Sequence, residues 1–349
     1  MSDRLPLLLD VDTGIDDSLA LLYAAASPEA EILGVSCSSG NVEAGQVAIN
    51  TLAILELAGR TDIEVAIGRR VPLVRALETT PETHGPRGIG YAELPPASRP
   101  VSARHGVDLL IDEIRARPGE VTLVTLGPLT NLAVAVLREP ELPRLLRSWV
   151  LMGGSYRSKG NTAPTTEWNI HVDPEAARAC FAAWGTAVGD GTTGPARPLA
   201  LGLDVTEKAK LTPEHMTALA RRAGSRPLDD RPEGSSAASN PVIRYVADAL
   251  RFYMEFHSRF DGFYGAFIHD PLALAAAIDR SLVRTEAVTV DVELGGTLTT
   301  GETVTDWRRV WGRPATLDVA VEADAATFLD QFVERVGGLA ARQAGVASS

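Results

Sequence analysis

Residues 7–23 read LLLDVDTGIDDSLALLY and place four aspartates, Asp10, Asp12, Asp16 and Asp17, between two apolar runs. The first run is short enough for a buried strand, and the second has the spacing of a helix. A threonine and a glycine stand between the two runs, where a strand must turn. A strand that turns directly into a helix is the repeating unit of an α/β protein. This stretch therefore predicts that fold class.

The same alternation of short apolar runs and amphipathic stretches continues along the chain. Strands are predicted at residues 6–11, 32–36, 63–67, 121–126, 149–152, 287–294 and 316–321, and helices at 17–26, 42–58, 107–115, 129–138, 174–184, 242–257 and 325–343. This order favours an open, mostly parallel, Rossmann-like central sheet flanked by helices. No repeat or linker divides the chain, so residues 1–349 are predicted to form a single domain.

Two segments interrupt this rhythm. Residues 189–198 and 224–241 are rich in Gly, Pro, Ser and Asp, which predicts mobile loops. The second segment precedes the helix that carries Phe252, Tyr253 and Phe256. It can be interpreted as a lid or as a solvated surface insertion.

Composition limits the partners of the protein. The net charge is −12 and no block of basic residues occurs, which argues against nucleic acid as a partner. The chain contains no apolar run of membrane-spanning length and no signal-peptide pattern, so we expect a cytoplasmic protein without a membrane partner. The two cysteines, Cys37 and Cys180, stand among small or apolar neighbours and are predicted to be reduced core residues.

The four aspartates pose an electrostatic problem. The helix dipole favours carboxylates in a first helical turn, which accounts for Asp16 or Asp17. It does not account for Asp10 and Asp12 on an apolar strand, because like charges raise one another's pKa unless a cation intervenes. Hard oxygen ligands at this density suit Ca²⁺ or Mg²⁺. Two other interpretations stay open: a hydrogen-bonded capping cluster, and the Asp-x-Asp nucleophile of a haloacid-dehalogenase-like phosphatase.

Other turns follow strands at the same predicted edge of the sheet. Asn41 lies in GNVEAG, and Leu126 in LGPLTNLA can offer a backbone oxygen to a metal. Each segment alone also fits an ordinary turn. In FIHDPLALAAAI, Asp270 can cap a helix, and His269 beside it can act as a proton donor near neutral pH.

One long loop gathers polar side chains suited to a sugar. After the strand that ends at Met152, the loop carries Asn161, Glu167, Trp168 and Asn169. Asparagine both donates and accepts hydrogen bonds and glutamate accepts them, so together they can address several hydroxyl groups. An unspecialised polar loop is the alternative.

Taken in order, these motifs resemble the inosine-uridine preferring nucleoside hydrolase family. The resemblance rests on DVDTGIDD, the GN at Asn41, GPLTN, the MGG…GN…E-x-N run, HDP and the late GGTLTTGETVTD, and it extends from Asp10 to about Asp306. It implies a single nucleoside hydrolase domain and a Ca²⁺-dependent ribonucleoside N-glycosidase that releases ribose and free base. The phosphatase interpretation predicts neither the E-x-N loop nor HDP.

The resemblance also implies roles for individual residues. Asp12, Asp17, Asp270 and the carbonyl of Leu126 would hold Ca²⁺, with Asp12 also taking a proton from the attacking water and Asp10 orienting its neighbours. The substrate side would be formed by Asp16, Asn41, Asn161, Glu167, Trp168 and Asn169 around the ribose, with His84 of THGPRGIG and His269 at the base. His269 would protonate or polarise the leaving base.

Three further expectations follow from the resemblance. A histidine before Asp270, in place of tryptophan, favours inosine-uridine or pyrimidine nucleosides over a purine-specific preference. A homodimer or homotetramer is expected. A catalytically inactive nucleoside-binding or regulatory protein is the alternative, although such a protein would not need Asp12 and His269 together.

Overall fold

The computed structural model describes residues 4–189, 194–226 and 236–346. The strands are β1 Leu5–Val11, β2 Ala30–Cys37, β3 Glu64–Ile67, β4 Thr122–Thr125, β5 Ser148–Met152, β6 Leu199–Leu201, β7 Lys210–Leu211, β8 Ala266–Phe267, β9 Val283–Val292, β10 Thr303–Asp306 and β11 Leu317–Ala323. The helices are α1 Ile15–Ala26, α2 Ala44–Leu57, α3 Pro81–His84, α4 Gly106–Ala116, α5 Thr130–Arg138, α6 Leu142–Leu145, α7 Trp168–Val172, α8 Pro174–Val188, α9 Leu203–Thr206, α10 Pro213–Arg222, α11 Pro241–Phe260, α12 His269–Ile278 and α13 Ala325–Val346, with a short 3₁₀ helix at Arg280–Leu282.

Nine strands form one sheet in the order β10-β9-β11-β6-β5-β4-β1-β2-β3. Neighbouring strands from β11 to β3 run parallel, whereas β9 pairs antiparallel with both β11 and β10. Strands β7 and β8 form a separate antiparallel pair. The predicted α/β class with a mostly parallel central sheet is confirmed.

Strand β1 has apolar side chains on both of its faces, because helices cover the sheet on both sides. Leu7, Leu9 and Val11 belong to one buried cluster, and Leu8 belongs to the other. Successive side chains of a strand alternate between faces. Asp10 therefore shares the face of Leu8, which places it toward α4 and α5.

The order of the strands reverses between β1 and β4. The chain proceeds from β1 outward to β3, and then returns to place β4 on the other side of β1 before continuing to β5 and β6. In open α/β sheets, ligands bind beyond the carboxyl ends of the strands at such a switch point. The acidic turn after β1 and the Leu126 turn after β4 flank this position.

The two predicted mobile loops, 189–198 and 224–241, include residues 190–193 and 227–235, which lie outside the described residues. The helix predicted at 242–257 is α11, which begins at Pro241 behind an Asn240 cap and extends to Phe260. Cys37 and Cys180 are both buried and free, as predicted. Within the described ranges, none of the helices combines the length and apolarity that crossing a membrane requires.

Candidate active site

The acidic turn between β1 and α1 is organised by Asp17. Its Oδ2 accepts the amide of Gly14 at 2.9 Å, and its Oδ1 accepts the amide of Asp12 at 3.2 Å. The Nδ2 of Asn41 also donates to Asp17 Oδ2, at 3.3 Å. A carboxylate that accepts otherwise unpaired amides at a helix start is a normal cap. Asp17 thus has a capping role, which explains how its carboxylate is held. This role does not explain why other carboxylates are buried beside it.

Three carboxylates meet at this turn. Asp16, Asp17 and Asp270 can each place one oxygen within 4.8 Å of the others, and all three are buried. Burial raises the pKa of Asp16 and Asp270 well above the ordinary value, and the neighbouring carboxylates raise both further. Burial likewise raises the pKa of Asp17. Such a group is costly to keep ionised without a cation.

Asp12 lies beside this group and is buried to the same degree, with 1 % of its surface exposed. Its Oδ2 accepts the amide of Asn41 at 2.7 Å. Burial raises the pKa of Asp12 well above the ordinary value, with a further contribution from Asp17. Asp12 is therefore electrostatically part of the cluster, although the three mutually closest oxygens come from the other carboxylates.

This donor set fits a divalent cation. Four buried carboxylates supply hard oxygen ligands, which Ca²⁺ and Mg²⁺ prefer. The carbonyl oxygen of Leu126, at the end of β4, accepts a hydrogen bond from Asn169 Nδ2 at 2.7 Å and keeps a second lone pair. Since the same amide reaches Met152 O at 3.2 Å, Asn169 joins the ends of β4 and β5.

Glu167 is buried and holds its loop together. Its carboxylate accepts the amides of Gly154 and Asn169 at 2.9 and 2.8 Å, and that of Ile170 at 3.2 Å, so it caps α7. Burial raises its pKa in spite of these bonds. Asn161 is exposed and accepts the Trp168 amide at 3.0 Å. The loop is therefore ordered by Glu167 and remains open toward solvent at Asn161.

A cavity of about 500 Å³ opens above these groups, a volume suited to a small ligand. Ten of the predicted site residues line it: Asp16, Asn41, His84, Leu126, Asn161, Glu167, Trp168, Asn169, His269 and Asp270. Asp12 and Asp17 lie in the buried layer behind this wall, bonded to Asn41. The structure thus gathers in one place residues that are up to 258 positions apart in the sequence, from Asp12 to Asp270.

The other side of the cavity is aromatic. His84 packs on Tyr253 with ring centroids 5.3 Å apart, and Phe267 packs near His269 at 5.8 Å. The amide of Ile15 donates to His84 Nδ1 at 3.0 Å, so the proton of this ring is on Nε2. Burial lowers the pKa of His84 and of His269 to about 3. Both rings are therefore neutral, hydrogen-bonding groups at neutral pH.

The tautomer of His269 depends on Thr206, which the sequence did not indicate. The Thr206 hydroxyl lies 2.8 Å from His269 Nδ1 and 3.2 Å from the Gly202 carbonyl, and it can donate to only one of them. Since a carbonyl oxygen can only accept, both contacts are hydrogen bonds when the hydroxyl donates to Gly202 and accepts Nδ1–H of His269. Donation from the hydroxyl to His269 instead would leave the ring proton on Nε2, where a neutral imidazole can donate a hydrogen bond.

Asp10 stands apart from the cluster, within β1 and on the face that Leu8 occupies. Its Oδ1 accepts Asn131 Nδ2 at 2.8 Å, and the same amide group reaches Ser36 Oγ at 3.0 Å. Burial raises the pKa of Asp10 to about 7. These contacts link the acidic turn to α5 and β2, which is compatible with the predicted supporting role.

Three residues that line the cavity, His257, Glu207 and Asp261, are not indicated by any sequence pattern. His257 and Asp261 are four residues apart at the end of α11, and Glu207 follows α9. None of them belongs to a motif with a recognisable spacing. The one available signal in the sequence is the aromatic content of α11, which follows the loop that can be interpreted as a lid.

Comparisons with known proteins agree with this geometry. A family model described as inosine-uridine preferring nucleoside hydrolase matches residues 7–330. The chain is 34% identical to an inosine-uridine preferring nucleoside hydrolase of Leishmania major, over 95% of this chain and 98% of that protein. It is 36% identical to a pyrimidine-specific ribonucleoside hydrolase of Enterobacter sp. (strain 638), over 97% and 99%. A purine-preferring ribonucleoside hydrolase from Gardnerella vaginalis superposes with a TM-score of 0.85 at 32% identity, over 97% and 99%.

Proposed function

The chain belongs to the inosine-uridine preferring nucleoside hydrolase family, and from that premise we propose how its residues hydrolyse ribonucleosides. The observation that carries the proposal is the chemical difference between the two sides of the cavity. A buried carboxylate cluster that includes Asp16, Asp17 and Asp270 lies at one side, and neutral histidines and aromatic rings lie at the other. A ribonucleoside shows a matching difference between its two halves, because a hydroxylated sugar is joined to a flat base.

We assign the carboxylate side to a divalent cation and the ribose. Asp12, Asp17, Asp270 and the Leu126 carbonyl would hold the cation, which the sequence predicts to be Ca²⁺. When bound, the cation would neutralise the carboxylates and polarise water and the ribose hydroxyls. Asp16, Asn161, Glu167 and Asn169 would bind the ribose hydroxyls, with Asn41 and Trp168 beside the sugar.

The chemical step needs a proton acceptor below the sugar and a hydrogen-bond donor at the base. Cleavage of a ribosyl bond passes through an oxocarbenium-like state, which negative charge stabilises. Asp12 would accept the proton of the attacking water, and the backbone amide of Asn41 fixes its carboxylate. General-base action of this kind contributes about 100- to 10,000-fold.

The leaving base would be assisted by the two neutral imidazoles. His269 would polarise the leaving base as negative charge develops on it, donating a hydrogen bond from Nε2 in the tautomer whose Nδ1 accepts the Thr206 hydroxyl. His84 carries its proton on Nε2, because Ile15 occupies its Nδ1. The sequence-based prediction of a proton donor is therefore refined to hydrogen-bond donation from a neutral ring.

A nucleoside panel tests this proposal. Release of free base from uridine, inosine, cytidine and adenosine should be measured with and without a chelator, and then with Ca²⁺ or Mg²⁺ restored. We expect turnover that the chelator abolishes and Ca²⁺ restores. Chelator-resistant turnover would contradict the metal assignment, and saturable binding without cleavage would instead indicate a nucleoside-binding protein.

Three finer properties remain predictions. We propose Ca²⁺ as the cation, a cytoplasmic location, and a homodimer or homotetramer as the assembled form. The chelation experiment tests the first property, fractionation of cells that express the protein tests the second, and light scattering of the purified protein tests the third.

A further inference from the structure

His257 is a buried histidine on the aromatic side of the cavity. It takes no part in the proposed contacts with the cation or the ribose. It lies in the last turn of α11 and has 4 % of its surface exposed. Its Nδ1 is 2.7 Å from Asp261 Oδ2. Its Nε2 is buried and has no hydrogen-bond partner among the described residues. A buried ring nitrogen without a partner is costly, which suggests a ligand contact.

The contact with Asp261 determines which ring nitrogen carries the proton. An ionised carboxylate only accepts hydrogen bonds, so Nδ1 of His257 must donate. Burial lowers the pKa of His257 below its ordinary value, although Asp261 opposes part of the shift. The ring is then neutral at neutral pH. Nε2 of His257 is consequently a hydrogen-bond acceptor.

The neighbours of His257 place it where the base would lie. Its ring centroid is 4.5 Å from that of Tyr253 and 4.8 Å from that of Phe267. These two rings in turn contact His84 and His269, respectively, so the five rings are continuous along the aromatic side. His84 carries its proton on Nε2, whereas Nε2 of His257 is unprotonated. The aromatic side therefore combines a donor and an acceptor.

We propose that His257 selects nucleosides whose base carries a ring N–H, which its Nε2 accepts, and that Asp261 is the positioning residue that fixes this tautomer. This inference rests on the proposed nucleoside hydrolase function. Uracil and hypoxanthine carry a ring N–H that can make this bond. Cytosine and unsubstituted purine present an unprotonated ring nitrogen at the same position, which would face the lone pair of Nε2.

The experiment compares two substrate pairs, uridine with cytidine and inosine with purine riboside. For each pair, the ratio of the two kcat/KM values is measured in the wild type and in variants. Comparing the ratio between variants cancels the different intrinsic leaving abilities of the bases. The first variant, His257→Phe, keeps an aromatic ring but removes the hydrogen-bond acceptor. The second, Asp261→Ala, removes the carboxylate, so that either ring nitrogen of His257 can carry the proton.

His215→Phe is the matched control, because His215 caps α10 through Thr212 and does not line the cavity. We expect His257→Phe to lower the preference for the N–H-bearing base about tenfold, the effect of one lost hydrogen bond with a buried partner. Asp261→Ala should lower it about threefold, since both tautomers become populated. His215→Phe should leave the ratio unchanged.

Equal losses of kcat/KM for both members of each pair would overturn the proposal, because they would indicate a purely structural role for His257. Calorimetric dissociation constants of the free bases, hypoxanthine and purine, give the same comparison without turnover. A protein that binds hypoxanthine in preference to purine through His257 and yet cleaves no nucleoside would support this inference and contradict the proposed function.

Discussion

Gly127→Ala is the substitution that most directly tests whether the position of Asp12 matters for turnover. Gly127 follows the Leu126 carbonyl, and a Cβ added there would lie 2.7 Å from Asp12 Oδ1, 2.9 Å from Asp12 Cγ and 3.0 Å from Asp12 Cβ. Ordinary contacts of a Cβ begin at 3.4 Å. Because three atoms of one side chain are involved, rotation of the carboxylate alone cannot relieve the overlap. Asp12 and the Leu126 turn must move apart by about 0.7 Å.

A displacement of this size should reduce activity much more than it reduces stability. Misplacing a catalytic group by about 1 Å costs roughly 100-fold in rate, so we expect kcat/KM to fall about 10- to 100-fold. Overpacking of a buried site lowers the free energy of unfolding by about 1–3 kcal/mol, which a protein of this size tolerates. The measurements are base release from uridine and inosine at saturating Ca²⁺, and urea unfolding of the same preparations.

Gly45→Ala is the matched control. Gly45 lies in the first turn of α2, and a Cβ there would meet only Arg70 Nη1, at 3.6 Å. Alanine in place of a helical glycine should leave kcat/KM unchanged and raise the free energy of unfolding by about 0.5–1 kcal/mol. If Gly127→Ala kept the kcat/KM of the wild type, the assignment of Asp12 and the Leu126 carbonyl to the reactive centre would be refuted.

Three further substitutions probe other parts of the site. Asp12→Asn should lower kcat at least 100-fold, because it removes the proposed proton acceptor; a variant that turns over normally while binding Ca²⁺ would contradict that role. Thr206→Val removes the hydroxyl that sets the tautomer of His269 and should lower kcat about tenfold at unchanged KM in steady-state assays, whereas a change in KM alone would point to a binding role. Asn131→Ala breaks buried bonds to Asp10, Ser36 and the Arg69 amide and should lower the free energy of unfolding by about 3 kcal/mol in urea titration; a loss under 1 kcal/mol would show that water replaces the amide.

The sequence determined the fold class and most of the residues that meet at the cavity. Alternation of apolar periods is a local property, so the strands and helices could be predicted from it with small shifts at their ends, such as the extension of α11 to Phe260. Ligands bind at the carboxyl ends of parallel strands, which made the loops after β1, β4 and β5 candidates before their distances were known. The collinear motifs then indicated one family, which the family match confirms.

The tertiary structure decided what each of these residues contacts. Asp10 and Asp12 both follow an apolar run in the quoted stretch, yet Asp10 lies within β1 and bonds to Asn131, whereas Asp12 lies beyond the end of β1 and bonds to Asn41. Burial lowers the pKa of His269, so the predicted proton donor is proposed instead as a neutral ring that donates a hydrogen bond. Thr206 and His257 could not be found, because their roles depend on hydrogen bonds and ring contacts that fold-wide packing creates. Sequence periodicity reports which face is buried, whereas protonation and tautomer depend on neighbours that are distant in the chain.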